Sequence, residues 1–240
     1  MKNLTTIFVG YANQKGGCGK TTLTQLNAKA LAYKGYKVLI IECDFQKSLS
    51  NTITTLEEVA KEKNLDFKPP YEILFSEVTG VEEEAKKAID KYDYVFIDMP
   101  GTLDKNGITN MLTVADLLII PIAIGQYDLE STLTFLETAQ KVKEYKEKHE
   151  IPFKVKFLIN KDDKQLKESK QLKNLLEELE IERFDTIIKH SINYIRHQSK
   201  YTNPLEDKTI RFEYGNFIEE FIDLSNVLLE EINKTTIINN

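Results

Sequence analysis

The 240-residue sequence has few cysteines and no long apolar segment, and these absences exclude several classes of protein. Its two cysteines, Cys18 and Cys43, do not form a C-x-x-C pair, so no zinc, iron–sulfur or dithiol redox motif is present. No apolar run approaches the roughly 20 residues that a membrane helix needs. The segment Met1 to Thr6 does not begin an export signal, which requires a basic stretch followed by an apolar one. We therefore expect a soluble cytoplasmic protein with no membrane partner.

The sequence also lacks repeats, low-complexity tracts and linkers, which favours a single domain over residues 1–240. Apolar runs of strand length recur along it and are rich in β-branched residues, as buried parallel strands are. Thr186 to Ile188 is a shorter candidate for an edge strand. The main runs are Ile7 to Tyr11, Val38 to Cys43, Tyr94 to Ile97, Leu117 to Ile122 and Val155 to Ile159.

Helical patterns lie between and after these runs. Strands that alternate with helices favour right-handed crossovers, so we predict an α/β fold with a doubly wound, mostly parallel sheet flanked by helices. The last helix has an apolar stripe from Phe217 to Ile232 and many acidic residues, which favours packing on the sheet over a membrane surface. The predicted helices are Thr21 to Lys34, Val81 to Lys91, Ile108 to Val114, Leu129 to Glu147, Leu166 to Glu180 and about Tyr214 to Ile232.

A glycine-rich segment between the first strand and the first helix is typical of a phosphate-binding loop. Gly19, Lys20 and Thr21 fit the general pattern G-x-x-x-x-G-K-[ST], but Gln14 occupies the place of the first glycine. Glycines let backbone N–H groups approach a polyphosphate, and the helix N-terminus behind them favours negative charge. The residues expected to contact the nucleotide are Lys15, Gly16, Gly17, Cys18, Gly19, Lys20, Thr21 and Thr22.

Aspartates follow two of the predicted strands. Asp44 comes after the second apolar run and Asp98 after the third. Ligands of such sheets bind at the carboxyl ends of the strands, where an aspartate can hold Mg²⁺ through its water shell beside a nucleotide. The hydroxyl of the loop residue Thr21 would then be a direct ligand. The sequence therefore predicts a metal site formed by Thr21, Asp44 and Asp98.

These segments resemble the ParA/MinD family of P-loop ATPases, and in particular its short partition ATPases. Lys15-Gly16-Gly17-x-Gly19-Lys20-Thr21-Thr22 is similar to the deviant Walker A box of that family. The extra lysine of the box reaches across a nucleotide-sandwich dimer to the phosphates of the partner. The resemblance thus implies an ATP-dependent homodimer in which Lys15 neutralises transition-state charge, as an arginine finger does.

The resemblance also implies ATP and Mg²⁺ as cofactors and assigns roles to single residues. Lys20 would hold the β- and γ-phosphates, and Asp44 would position the attacking water. Asp98 would support the shell of the metal. This chain departs from the family at two positions, since Glu42 stands where aspartate is usual and Phe45 where proline is usual.

The segment Asn160-Lys161-Asp162-Asp163, after the fifth apolar run, has two interpretations. Read literally, it matches the Asn-Lys-x-Asp motif with which many GTPases hold guanine. In ParA-like proteins the asparagine of this region instead contacts adenine, because its amide can both donate and accept. The deviant loop favours ATP over GTP, and Asn160 is then a nucleotide-binding residue.

The net charge of −6 does not suggest a protein coated by nucleic acid, but the basic residues collect after Lys141. Short partition ATPases bind DNA without sequence preference as ATP dimers, and a centromere-binding adaptor of the ParB type stimulates hydrolysis. The resemblance implies these partners and a nucleoid-associated location. Contacts to DNA phosphates would supply the affinity. The candidate residues are Lys189, Arg196, Lys200 and Arg211.

Other functions remain open at this point. A ParA-like ATPase or GTPase could position another cargo, and a nucleotide-gated scaffold could do so with weak hydrolysis. A synthetase or kinase could use the same loop on a small molecule, although the sequence contains no motif for an acceptor pocket.

Overall fold

The computed structural model describes residues 5–13, 16–100, 109, 112–123, 129–163, 167–200 and 202–238. Six strands form one sheet in the order β3-β2-β4-β1-β5-β6, and every neighbouring pair is parallel. This confirms the predicted α/β fold with a parallel sheet. The strands are β1 (Ile7–Tyr11), β2 (Val38–Glu42), β3 (Glu72–Phe75), β4 (Tyr94–Asp98), β5 (Leu117–Ala123) and β6 (Lys154–Asn160).

Helices cover both faces of the sheet, and each face has its own hydrophobic cluster. Along β1, Phe8 belongs to one cluster while Ile7 and Val9 belong to the other, because successive side chains of a strand point to opposite faces. The helices of the described residues are α1 (Lys20–Tyr33), α2 (Ser48–Glu62), α3 (Val81–Ala88), α4 (Leu129–Lys148), α5 (Lys167–Glu178), α6 (Ile192–Gln198) and α7 (Arg211–Ile238).

The last helix, α7, packs on the sheet as its apolar stripe predicts. Phe217, Phe221 and Leu228 are fully buried, and the Phe221 ring lies 6.1 Å from that of Phe96 on β4. The helix is longer than the sequence pattern indicates. No helix in the described ranges combines the length and the apolar character that crossing a membrane requires.

Three of the strands and α-helices given above have no counterpart in the sequence prediction, namely β3, α2 and α6. The predicted edge strand at Thr186 to Ile188 is wrong, since this segment makes only separate contacts along β6, such as Ile188 N–H to Ile159 O at 2.9 Å. Helix α3 ends at Ala88 instead of Lys91. In the predicted helix Ile108 to Val114, residues 109 and 112–114 are helical, and the other three lie outside the described residues.

Candidate functional site

The glycine-rich loop joins the central strand β1 to the start of α1. Gly17 and Gly19 have φ angles of 75° and 100°. Residues with a Cβ rarely adopt such angles, so glycine is needed at both positions. Cys18 between them is buried, and burial raises the pKa of its thiol. Gly16 is exposed, and Thr22 lies in the first turn of α1. Positive φ angles at both glycines are a backbone feature that a phosphate-binding loop uses.

The structure describes one of the two loop lysines, Lys20, but not the other, Lys15. Lys20 is the first residue of α1 and is only 8% exposed, so its side chain is largely shielded from solvent. Lys15 and Gln14 lie outside the described residues. The role of Lys15 across a dimer stays a prediction.

Thr21 and Asp98 meet behind the loop. The Thr21 hydroxyl donates a hydrogen bond of 3.1 Å to Asp98 Oδ2, and Asp98 ends β4 directly beside the last residue of β1. Asp98 is fully buried, and its other oxygen, Oδ1, has no hydrogen-bond partner among the described residues. Burial raises the pKa of this carboxyl group to about 7, against the opposing effects of the Thr21 hydrogen bond and the Lys20 charge.

These two side chains fit a magnesium ion. A buried carboxylate oxygen without a donor calls for a water or an ion, and Mg²⁺ prefers oxygen ligands. Within the described ranges, no group of three His, Cys, Asp or Glu side chains could hold a metal alone. Mg²⁺ would therefore depend on phosphate oxygens and water for the rest of its shell, as it usually does beside a nucleotide.

Asp44 lies in a turn at the carboxyl end of β2. Its Oδ1 accepts a hydrogen bond of 2.9 Å from Gln46 N–H, and its carbonyl accepts one of 2.9 Å from Lys47 N–H. Asp44 is half-buried, and the described residues provide no hydrogen bond to its Oδ2. This oxygen could accept a proton from a water molecule at the same edge of the sheet as Asp98.

Glu42 has a role that the sequence did not reveal. It is fully buried at the end of β2, in register with Asp98. Its Oε1 accepts from Leu49 N–H at 2.8 Å, and its Oε2 accepts from Ser50 N–H at 3.1 Å and from the Ser50 hydroxyl. The first amides of a helix have no partner within it, so Glu42 satisfies two of those of α2. The carboxylate thereby fixes both ends of the turn that contains Asp44.

Phe45, the other departure from the family pattern, is 72% exposed beside Asp44. Its ring lies 5.9 Å from that of Phe75 at the end of β3, and Lys47 Nζ lies 4.1 Å from the centre of the Phe75 ring. Most of the Phe45 side chain thus faces solvent.

Asn160 ends β6 and lies against the loop. Its side-chain amide donates a hydrogen bond of 2.8 Å to the carbonyl of Cys18. Lys161 donates one of 2.6 Å to the carbonyl of Gly17. Sequence reasoning selected Asn160 but missed Lys161, although the Asn-Lys pair was a signal. A contact between Asn160 and a base, and the preference for ATP over GTP, stay predictions.

A small cleft opens beside the loop between α1 and residues 189–195. Its volume of about 60 Å³ is far below the roughly 300 to 1,000 Å³ of ordinary small-molecule pockets. Thr22, Asn160 and Tyr194 are among the residues that line it. A purine base would require this cleft to widen.

The four candidate DNA-binding residues differ in their surroundings. Lys189 Nζ lies 3.3 Å from Glu213, and Lys200 Nζ lies 3.2 Å from Asp207, so acidic neighbours partly neutralise both lysines. Arg196 on α6 and Arg211 at the start of α7 are exposed, and neither has an acidic partner in the part of the chain that the structure describes. The two arginines are therefore the stronger candidates.

Comparisons with known proteins agree with this geometry. The profile of the CobQ/CobB/MinD/ParA nucleotide binding domain matches residues 9–204. The maintenance of carboxysome distribution protein A of Halothiobacillus neapolitanus is 23% identical over 92% of this chain and 94% of its own. The sporulation initiation inhibitor protein Soj of Bacillus subtilis is 27% identical over 57% of this chain and 66% of its own.

A solved structure shows the same fold. It is a protein from Borrelia burgdorferi B31, assigned to plasmid partition and bound to AMPPNP, with a TM-score of 0.65. The alignment covers 91% of this chain and 99% of that one at 22% identity. Because the family profile spans most of the sequence, the chain belongs to the CobQ/CobB/MinD/ParA family of nucleotide-binding domains.

Proposed function

We propose that this protein is an ATP-dependent partition ATPase, which binds ATP with Mg²⁺, dimerises around the nucleotide and binds DNA without sequence preference. The observation that carries the proposal is the contact between Thr21 and Asp98, with its unpartnered buried oxygen, directly behind the phosphate loop. Family membership supports the use of a nucleotide. Hydrolysis, stimulated by a centromere-binding adaptor of the ParB type, would return the protein to its DNA-free state.

The residues of the site divide the work of phosphoryl transfer to water. Lys20 would neutralise charge on the β- and γ-phosphates, and the Asp44 carboxylate would orient the attacking water through Oδ2. Thr21 and Asp98 would hold Mg²⁺, which supplies charge neutralisation at the phosphates when bound. Phosphoryl transfer needs positioning and charge stabilisation more than covalent catalysis, and this chain offers groups for both.

Dimerisation would complete the site. Lys15 would reach the phosphates of the partner protomer and stabilise transition-state charge there, as an arginine finger does. Formation of the dimer would therefore depend on the γ-phosphate. The expected result is a dimer with ATP or AMPPNP and a monomer with ADP, measured by sedimentation, and the variant Lys15→Ala should remain monomeric with AMPPNP.

DNA binding would depend mainly on Arg196 and Arg211. The side chain of Asn193 on α6 donates to Thr209 at 2.9 Å, which ties the helix of Arg196 to the segment just before Arg211. Double replacement of the two arginines by glutamate should weaken ATP-dependent binding to unrelated duplexes and reduce its salt dependence. Double replacement of Lys61 and Lys63, two exposed lysines at the end of α2, by glutamate gives the same change in charge and is the control. If the arginine variant and this control bound DNA with equal affinity, neither arginine would belong to the DNA-binding surface.

A second candidate function is the positioning of another cargo by the same ATP cycle. It is favoured by the carboxysome distribution protein, which matches this chain along nearly the whole length of both. Phosphate release measured with ATP, with and without DNA, tests the shared part of both functions. Stimulation by a ParB-type adaptor supports partition, whereas release without stimulation by that adaptor favours the positioning function. If the wild-type protein released no more phosphate with Mg²⁺ than the variant Lys20→Ala does, the protein would be a scaffold without hydrolysis.

A further inference from the structure

Asn160 and Lys161, two consecutive residues, hold two consecutive carbonyl groups of the phosphate loop. Asn160 Nδ2 donates to Cys18 O at 2.8 Å and Lys161 Nζ donates to Gly17 O at 2.6 Å. Asn160 is buried, and a Cβ at Gly19 would overlap its amide nitrogen. The loop thus closes directly onto this pair, which we name the Asn160–Lys161 clasp.

The contacts of the clasp set the direction of the loop amides. In a planar trans peptide, the C=O and the N–H of one unit point in opposite directions. A hydrogen bond that holds Gly17 O therefore turns the N–H of Cys18 away from Lys161. In the same way, the bond to Cys18 O turns the N–H of Gly19 away from Asn160. Successive N–H groups that share a direction form the concave site in which such loops bind anions.

The clasp is itself anchored by the next residue, Asp162. This buried carboxylate accepts from the Ser169 hydroxyl at 2.6 Å and from Lys173 Nζ at 3.3 Å, both on α5. The backbone of Asp162 also donates to Ile188 O at 2.9 Å. Lys161 has a φ angle of 55°, which is uncommon for a residue with a Cβ, and the fixed neighbour holds it in this conformation.

We propose that Asn160 and Lys161 are positioning residues, which orient the loop backbone for polyphosphate through their hydrogen bonds to its carbonyl groups. The inference rests on the proposed function, since it requires that the loop binds phosphate. It gives the Asn-Lys pair a role in phosphate binding that does not depend on which base the nucleotide carries.

Binding of a probe without a base tests this directly. Isothermal titration would compare ATP with inorganic triphosphate, both with Mg²⁺, for Asn160→Ala and Lys161→Met. Each variant should weaken triphosphate binding by about 2- to 12-fold, and ATP binding by at least as much, because a hydrogen bond contributes roughly 0.5 to 1.5 kcal/mol. Lys161→Arg keeps a donor and should retain most of the affinity, a rescue that general destabilisation would not give.

Lys170→Met is the matched control, since Lys170 is an exposed lysine on α5. Lys161→Met also keeps the experiment decisive if Asn160→Ala does not fold, because the Lys161 side chain is only half-buried. Weaker ATP binding with unchanged triphosphate binding would show a contact with the base and overturn the inference. Variants that bind both probes as tightly as the wild-type protein would overturn this inference but not the proposed function. Wild-type protein that binds neither probe would overturn the proposed function as well.

Discussion

Asp98 and Asp116 lie at opposite ends of the central strands, and burial raises the pKa of both, to about 7 and about 6. Their partners differ. Asp116, just before β5, accepts from Phe8 N–H at 2.9 Å and donates its own N–H to Phe8 O at 2.8 Å. Asp98, at the carboxyl end of β4, has a hydroxyl partner at one oxygen, and its other oxygen has none within the described residues.

The comparison shows that a raised pKa does not by itself distinguish a functional carboxylate from a structural one. Asp116 binds backbone on β1, and its carbonyl accepts from Lys154 N–H at 2.9 Å, so it holds the starts of neighbouring strands together. Asp98 keeps an acceptor position open beside a phosphate loop. Open acceptor positions in a buried carboxylate are costly unless a ligand fills them, which makes Asp98 the stronger candidate for a functional residue.

The largest expected effect comes from Asp98→Asn. Replacing one carboxylate oxygen by an amide removes the charge that would balance Mg²⁺, so Mg²⁺-dependent phosphate release should fall by about 10²- to 10³-fold. The free protein should be as stable as wild type or more stable, because a buried charge is removed. Asp116→Asn is the matched control and should retain hydrolysis within a few fold. Similar losses of hydrolysis in both variants would contradict the distinction between a functional Asp98 and a structural Asp116.

The next effect concerns the pH dependence of stability at Asp116. Its pKa in the folded protein lies above the ordinary value, so the folded chain retains a proton that the unfolded chain releases. The stabilisation is therefore complete below about pH 4 and disappears as the pH rises through about 6. The total is at most about 3 kcal/mol, since one pKa unit corresponds to about 1.4 kcal/mol. Asp116→Asn should flatten the free energy of unfolding between pH 4 and 6 in urea titrations, and an unchanged slope would contradict this assignment.

A smaller effect is expected from Asp116→Ala at neutral pH. This variant leaves the Phe8 N–H without its acceptor, and an unsatisfied buried donor costs roughly 1 to 3 kcal/mol. Chemical denaturation would measure the loss, with Asp116→Asn as the variant that keeps an acceptor. Phosphate release should stay close to wild type. A stable Asp116→Ala protein with impaired hydrolysis would place Asp116 in the site and not in the scaffold.

Much of the sheet could be predicted because most of its strands are built on apolar runs. Strand β3 escaped prediction since Glu72 is exposed and the strand lies at the edge of the sheet. Helix α2 begins with Ser48 and is rich in threonine, which has low helix propensity, and its first amides are satisfied by Glu42 from outside the helix. A contact of this kind leaves no periodic pattern in the sequence.

The difference between local patterns and long-range contacts also explains which parts of the site could be predicted from the sequence. Thr21 and Asp98 could be paired from the sequence because parallel strands bring their carboxyl ends to one edge. The hydrogen bond from Asn160 to Cys18 joins residues 142 positions apart and depends on how β6 ends, so the motif allowed several interpretations. Sequence patterns report local periodicity, whereas the direction of a single amide is decided by tertiary packing.

Glu42 gives the smallest expected effect and the sharpest form of the comparison, because it lies beside Asp98 but is bonded like Asp116. Both of its oxygens accept hydrogen bonds from the start of α2. Glu42→Gln should therefore lower the free energy of unfolding by about 1 kcal/mol through loss of helix capping, while phosphate release falls less than tenfold. Ser50→Ala, which removes only the hydroxyl donor, should cost less. Glu42→Gln could instead abolish hydrolysis, as is expected of Asp98→Asn, and leave stability unchanged. The position of a carboxylate at the carboxyl ends of the strands, and not an oxygen without a hydrogen-bond donor, would then decide which carboxylate takes part in hydrolysis.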